Sequence, residues 1–381
     1  MSKCNSDSGD AHILYNSLCN EIRLDQRYRE IFEVKGFYIN YKIMKQIALK
    51  SKFGFLVTPV FFILAWVMPA IIFLRWILML GISLGAPASP ALKRDVTSVW
   101  IIPTSPSNEV LIRSALARGK RTNIHTLILS NMWTNLTSRL GMNAVMAIGW
   151  QALCLIIRII FFGTNRTALL LHSRDAMSLL VLAKFARSHP NDLFVTDCHY
   201  QRLSFILSHT ANELVLVQHG FLDSAIGLPF KGGTVMQVIV RDNASAKGWG
   251  QYYRSIQKYT INMQKLDLDA NPYSHDAVFL ASSFPMIDME ISFIHALRLS
   301  ASIPIIVKLH PSHLYDNRRS QLTIFADYVC RPDENPSCAV FVSHSSSMET
   351  TYQQNGIPTV SLQRESTTDS AIAAVMNALR T

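Results

Sequence analysis

Val307-Lys308-Leu309-His310-Pro311, followed further along by Val340-Phe341-Val342-Ser343-His344-Ser345-Ser346-Ser347-Met348-Glu349, decides how this chain folds. Each segment is a short β-branched, apolar run that stops abruptly in a His-Pro pair or in small polar residues. Carboxyl ends of parallel strands have this look when a ligand binds above them. The second run continues through a helical pattern to Asn355-Gly356 and then into an apolar run ending at Leu362, which predicts helix, glycine stop and another buried strand. A serine cluster at a helix start suits a phosphate. Its NH groups lack helical partners, and the helix dipole favours an anion by ~0.3–1 kcal/mol.

Working outward, similar runs predict strands over Ser98–Ile102, Thr126–Leu129, Ala168–His172, Leu193–Asp197, Glu213–Gln218 and Met236–Val240. A second set covers Ala277–Ala281, Ile303–Lys308, Thr323–Val329, Ala339–Val342 and Thr359–Leu362. Helical patterns such as Asp175–Ser188 lie between most of them. Alternation of this kind predicts an α/β fold with mainly parallel sheets. The polar segment 241–275, with Asn271-Pro272, reads as the crossing between two domains. The expected organisation is therefore a helical, membrane-associating region over 1–95 and two Rossmann-like domains over 96–262 and 263–381, with the ligand in the cleft between the last two. In the first region, Asn16–Phe32 and Tyr38–Ala48 show loose helical periodicity.

The chain has 381 residues, 49% hydrophobic and only 16% charged, with a net charge of +10. Mean hydropathy is +0.18. High apolar content with a basic balance fits contact with a membrane and with an anionic partner. Nucleic acid is not the expected partner: no zinc-finger spacing, aromatic RNA-binding motif or dense Lys/Arg tract occurs. Phe53 to Leu74 runs without a charge and as a helix is long enough for a bilayer core. Pro59 and Pro69 interrupt it, Arg75 precedes a further apolar run to Leu84, and lysines and arginines lie on both sides. The charges give no clear orientation; membrane insertion through 53–84 is expected, as a span or as a re-entrant helix with both flanks at the cytoplasm, and a buried core helix is the alternative. Ala144–Phe162 is also apolar but holds Gln151 and Arg158, so it reads as a core or interfacial helix. The six cysteines show no C-x-x-C pair, as free thiols of a reducing cytoplasm would.

His310-Pro311, the cluster Ser345-Ser346-Ser347 and the following Glu349 and Gly356-Ile357-Pro358 resemble the nucleotide-binding half of GT-B glycosyltransferases. The pattern is most similar to bacterial capsule and surface-polysaccharide enzymes: the polysialyltransferases, the Kdo transferases and, more distantly, the CDP-glycerol glycerophosphotransferases. Leu214-Val215-Leu216-Val217-Gln218-His219-Gly220 is similar to the strand-end His-Gly of the last group, where sialyl- and Kdo-type enzymes carry an acidic residue next to Gly. The resemblance covers roughly residues 190–365. It implies that His310 contacts the donor phosphate, that Ser345 and Ser346 complete the phosphate cradle and that Glu349 faces the ribose. Lys308 and Arg331 would add positive charge, and Pro311 and Ser347 belong to the same loops.

Inverting transfer needs a stabilised leaving phosphate, a base for the acceptor hydroxyl and alignment of the two. His219 is the first candidate base, because an ordinary imidazole is mostly neutral at pH 7, and Asp223 is the fallback. His172, Asp175, Asp197 and His199 fall at predicted strand ends and are candidates for acceptor binding. Each site residue has a plainer reading: Ser347 as an ordinary helix cap, Glu349 as a partner of the helix dipole, His219 as a packed core histidine.

The implied activity is transfer of a sugar from a nucleotide-activated donor, such as a CMP-linked acidic sugar, to a lipid-linked surface glycan at the cytoplasmic face of the inner membrane. A CDP-glycerol- or CDP-ribitol-type polyol-phosphate transferase and a non-enzymatic membrane-tethered assembly factor are the alternatives. Neither a cofactor beyond the nucleotide-sugar co-substrate nor a metal is expected. Asp267-Leu268-Asp269 matches the D-x-D metal motif of another transferase fold but lacks a preceding apolar strand and reads as solvated linker. No H-E-x-x-H, Walker loop or G-x-G-x-x-G occurs.

Overall fold

A computed structural model describes residues 4–31, 54–85, 98–104, 106–116, 123–128, 131–163, 165–198, 201–218, 227–240, 243–261, 268–271, 273, 276–283, 286–310, 318–331, 334–344, 346, 348–365 and 367–380. The chain forms two compact units, Met1–Asn262 and Met263–Thr381. Each holds one sheet in which every strand pairing is parallel.

Unit 1 carries β1 (Val99–Ile102), β2 (Ile124–Thr126), β3 (Leu193–Thr196), β4 (Glu213–Val217), β5 (Gly232–Val240) and β6 (Tyr253–Ile261), in the order β2-β1-β3-β4-β5-β6. Unit 2 carries β7 (Val278–Ala281), β8 (Ile305–Lys308), β9 (Tyr328–Val329), β10 (Val340–Ser343) and β11 (Thr359–Ser361), in the order β11-β10-β7-β8-β9. Both orders reverse direction once, between β1 and β3 and between β7 and β10. The central strands β1, β3, β7 and β10 are buried at every residue. Strands covered on both faces read as unbroken apolar runs, which is why their sequences announce them.

Helices fill the rest. In unit 1 these are α1 (Cys4–Ile31), α2 (Gly54–Gly85), α3 (Pro106–Leu116), α4 (Met132–Thr137), α5 (Met142–Phe162), α6 (Arg166–His172), α7 (Ala176–Ser188), α8 (Arg202–Thr210) and α9 (Asn243–Trp249). Unit 2 adds α10 (Ile287–Ser300), α11 (Arg319–Thr323), α12 (Met348–Gln354) and α13 (Thr368–Ala378). Helix α12 ends at Gly356, whose φ of 78° is open to glycine at low cost, and the chain then enters β11.

Several expectations need correcting. Ala168–His172 is the helix α6, not a strand. Ala and Leu favour helix, and an apolar run this short carries no period to tell the two apart. Thr323–Val329 contributes only the end of α11 and the two-residue β9. The division between the units, after Asn262, falls inside the expected crossing 241–275, but that segment also contains α9 and the strand β6. β6 is an edge strand, largely exposed and carrying Arg254 and Lys258, and charge on an edge discourages further pairing. The N-terminal helices belong to the same compact unit as the first sheet: α1 packs on α5, α6, α7 and α8, and α2 on α4, α5, α6 and α7. Tyr38–Ala48 lies outside the described residues.

Among the described residues two helices are long and apolar enough to cross a membrane, over Ile63–Gly85 and Met142–Phe162. Helix α2 continues through Pro69 and Arg75 without a break. Cys19, Cys154, Cys198, Cys330 and Cys338 are free thiols.

Asn20 shows how α1 is fastened. It is buried; its Nδ2 donates to Phe230 O at 2.8 Å and its Oδ1 accepts from Phe230 N at 3.0 Å. Asn20→Ala leaves a main-chain donor and an acceptor unmet beside β5. We expect it to lower unit 1 stability by about 2 kcal/mol, measured by denaturant unfolding followed by tryptophan fluorescence.

Candidate functional site

The carboxyl ends of β7, β8 and β10 gather the polar groups of unit 2. Register places Ala281 opposite Ser343 on one side and opposite Lys308 on the other. Residues just past these positions therefore share one edge of the sheet. Ser282 follows β7; its N–H donates to Lys308 O at 2.9 Å and its Oγ accepts the N–H of His310 at 2.7 Å. The His310 loop is thus tied to the end of the central strand. With neighbouring strands ~4.8 Å apart, the ends of β8 and β10 stand roughly 10 Å from each other, the reach of a diphosphate-sized group.

On the β10 side Ser343 Oγ accepts the N–H of Ser346 at 3.2 Å, and Ser346 Oγ accepts the N–H of Met348 at 3.2 Å. Ser346 is therefore the hydroxyl that caps the start of α12. His344 is buried, its Nδ1 has no hydrogen-bond partner among the described residues, and burial pushes its imidazole pKa down. A neutral ring is the result. Glu290, on the first turn of α10, is fully buried. Its Oε1 accepts the N–H of Ser283 at 2.6 Å, while Oε2 has no partner among the described residues. Burial pushes its carboxyl up to about 8, against the opposing pull of the Ser283 amide.

Not every expected residue joins this edge freely. Lys308 directs its Nζ to Glu334 O at 2.6 Å and Asn335 Oδ1 at 3.3 Å, towards the β9 side. Arg331 pairs with Glu334 at 2.7 Å. Glu349 is buried and lies 3.4 Å from Arg364, so a counter-ion already faces the carboxylate expected at the ribose. Asp269 accepts the N–H of Asn335 at 2.6 Å and bridges to Pro336, so it fastens the start of unit 2. Among the described residues no group of His, Cys, Asp and Glu is arranged to hold a metal ion. Pro311, Ser345, Ser347 and Asp267 lie outside the described residues.

In unit 1 the reversal between β1 and β3 is occupied by Asp197, which is fully buried. Its Oδ1 accepts the N–H of Thr104 at 2.7 Å, and its Oδ2 accepts from the Thr104 hydroxyl and from Asn108 Nδ2, the latter at 2.6 Å. This carboxylate, expected to bind acceptor, fixes the β1–α3 turn. His172 and Asp175 are displaced further. His172 ends a helix rather than a strand, is buried, and meets Glu21 of α1 at 3.1 Å. Asp175 lies in a one-turn 3₁₀ segment 3.6 Å from Arg202. Both join the ion cluster around Glu21 and Arg202, His172 at its buried end and Asp175 at its half-buried rim. His199, His219, Gly220 and Asp223 lie outside the described residues; the chain reaches Gln218, buried at the end of β4, immediately before them.

Ser282, Ser283, His344 and Glu290 were not singled out from sequence. The two serines carry the same signal as Ser343: they close a fully apolar run, Val278-Phe279-Leu280-Ala281. Glu290 carries none, since a lone acid in a helix start reads as a solvated charge. No family model matches the chain, and no curated protein is significantly similar to it.

Proposed function

We propose that this protein is a membrane-associated glycosyltransferase built on two Rossmann-like lobes of the GT-B type. It transfers a sugar from a nucleotide-activated donor to a lipid-linked surface glycan, at the cytoplasmic face of the inner membrane through 53–84. One observation carries the reading: the carboxyl edge of the unit 2 sheet brings Ser282, His310, Ser343 and Ser346 around the point where strand order reverses, between β7 and β10. Open α/β sheets bind their ligands at such points. In this reading the His310 imidazole and the serine hydroxyls and amides hold the donor phosphate as it becomes the leaving group. Charge developing on that phosphate is met by donors already in place. His219, or else Asp223, takes the acceptor proton.

The test is nucleotide release by the purified chain in detergent, with a panel of nucleotide sugars that starts from CMP-linked acidic sugars. His310→Ala is expected to lower turnover about ten- to a hundredfold, the weight of one hydrogen bond to a charged group. No release with any donor, or full activity in the variant, overturns the reading. The His219-Gly220 pair after β4 favours a polyol-phosphate transferase as the second reading. Phosphorus from the donor found in the product, rather than on the released nucleotide, decides for it.

A further inference from the structure

We propose that α2 and α5 together form a face that docks into one leaflet of a lipid bilayer, with both helices lying along the membrane rather than across it. The inference deepens the membrane part of the reading above and does not depend on the transferase chemistry. From Ile63 to Gly85 every exposed residue of α2 is apolar, and from Ala144 to Phe162 the same holds for α5. Phe73, Leu78, Trp150, Leu153, Ile157 and Phe161 are all at least 40% exposed. The exposed positions of α5, from Met146 through Trp150, Leu153 and Ile157 to Phe161, recur at helical spacing and make one continuous stripe. An outer helix of a water-soluble domain would be polar here.

The polar groups of these helices are turned the other way. Arg75 Nη1 donates to Arg174 O at 2.6 Å, and the Arg158 guanidinium stacks over the Tyr15 ring of α1 at 4.8 Å. Trp76 Nε1 donates to Val145 O at 3.2 Å, which joins the two helices. Gly149 lets them approach: a Cβ there would sit 2.1 Å from the Trp76 ring. The outer side is thus a joint, uncharged surface of two helices, in a chain whose net charge of +10 suits anionic head groups.

The inner side decides the orientation. Ala65, Ile72 and Met79 are buried along α2, and Val145 through Ile159 are buried at intervals along α5. Helix α5 rests lengthwise on α1 and α7, and α2 on α6 and α7. Helix α1 brings Asp10, paired with Arg187, and Glu21, paired with Arg202. An α5 set across the bilayer would carry these ion pairs into hydrocarbon, which is strongly unfavourable. A helix pair lying flat buries its apolar stripe and leaves the pairs in water.

Flotation of the full chain with phosphatidylcholine vesicles, with and without phosphatidylglycerol, tests this. Phe73→Glu on α2 and Leu153→Glu on α5 are each expected to lower the bound fraction about tenfold and to leave the protein monomeric and folded without detergent. Asn143→Cys at the start of α5 and Arg166→Cys just beyond its end, at the start of α6, are both expected to react with an impermeant maleimide added outside sealed vesicles. Three results overturn the proposal: unchanged binding by Leu153→Glu, protection of one α5 end, or a detergent-free dimer of the native chain that ignores vesicles. Nucleotide release in detergent is indifferent to all three, so failure here is distinct from failure of the transferase reading.

Discussion

Glu290→Gln is expected to make unit 2 more stable near neutral pH, by about 3 kcal/mol. The native carboxyl is pushed up to about 8 by its burial, whereas in the unfolded chain a glutamate titrates near ~4.3. Between those two values the folded protein keeps a proton that the unfolded chain has released. Stability therefore falls as pH rises across the window, by about 1.4 kcal/mol per pH unit, and is fully present only below the unfolded value. Glutamine keeps the oxygen that accepts the Ser283 N–H at 2.6 Å and nearly the same shape. It cannot ionise, so it removes the pH-dependent loss. Native and variant chains should match in acid and diverge as pH rises, the variant being the more stable. Far-UV circular dichroism during denaturant unfolding, over a pH series, measures this. All six tryptophans lie in unit 1, so fluorescence-detected unfolding should not change. A variant that is less stable above neutrality would mean that the carboxylate is ionised and paired.

The same residue shows where sequence reading stops. The central strands were legible because a strand buried on both faces needs an unbroken apolar run and leaves room for nothing else. Their ends were legible too: His310 and Ser346 stand where a strand stops in polar residues. β6 escaped because Tyr253–Ile261 is an edge, half of it facing solvent, and its polar residues resemble a linker. Ala168–His172 was misread because Ala-Leu-Leu-Leu is apolar in either conformation and the run is too short to show a period. The roles of Asp197, Glu349 and His172 depended on partners elsewhere in the chain, Thr104, Arg364 and Glu21. No local pattern encodes a partner that only the fold brings near, whether 15 residues away, as for Glu349 and Arg364, or 151, as for His172 and Glu21. The outward apolar stripe of α5 was visible as composition, but which way Arg158 turns was set by Tyr15 on another helix.

Glu21→Ala is expected to destabilise unit 1 by about 3–5 kcal/mol, because it leaves charges buried without their counter-ion. Glu21 Oε1 lies 3.1 Å from Arg202 Nε and accepts the Arg202 N–H at 3.2 Å, while Oε2 lies 3.1 Å from His172 Nδ1. Burial alone would raise this carboxyl, but the Arg202 guanidinium and the His172 imidazole hold it well below the usual carboxylate range. Its folded value is depressed, so its contribution is present above about pH 4.3 and is lost as acid protonates it. The difference between native and variant should therefore be full at neutral pH and shrink in acid. Tryptophan fluorescence during denaturant unfolding reads it, since the signal comes from unit 1 alone. A flat difference across pH would show that the loss came from packing and not from charge. Glu21→Gln, which keeps the acceptor for the Arg202 N–H, should fall between the two. The consequence reaches the membrane face. Glu21 fastens α1 to α6 and α8, and α1 is the floor on which α5 and its Arg158 rest. Loosening that floor exposes the inner side of α5, so Glu21→Ala should also weaken vesicle binding, although Glu21 itself lies on the opposite side of α5 from the lipid.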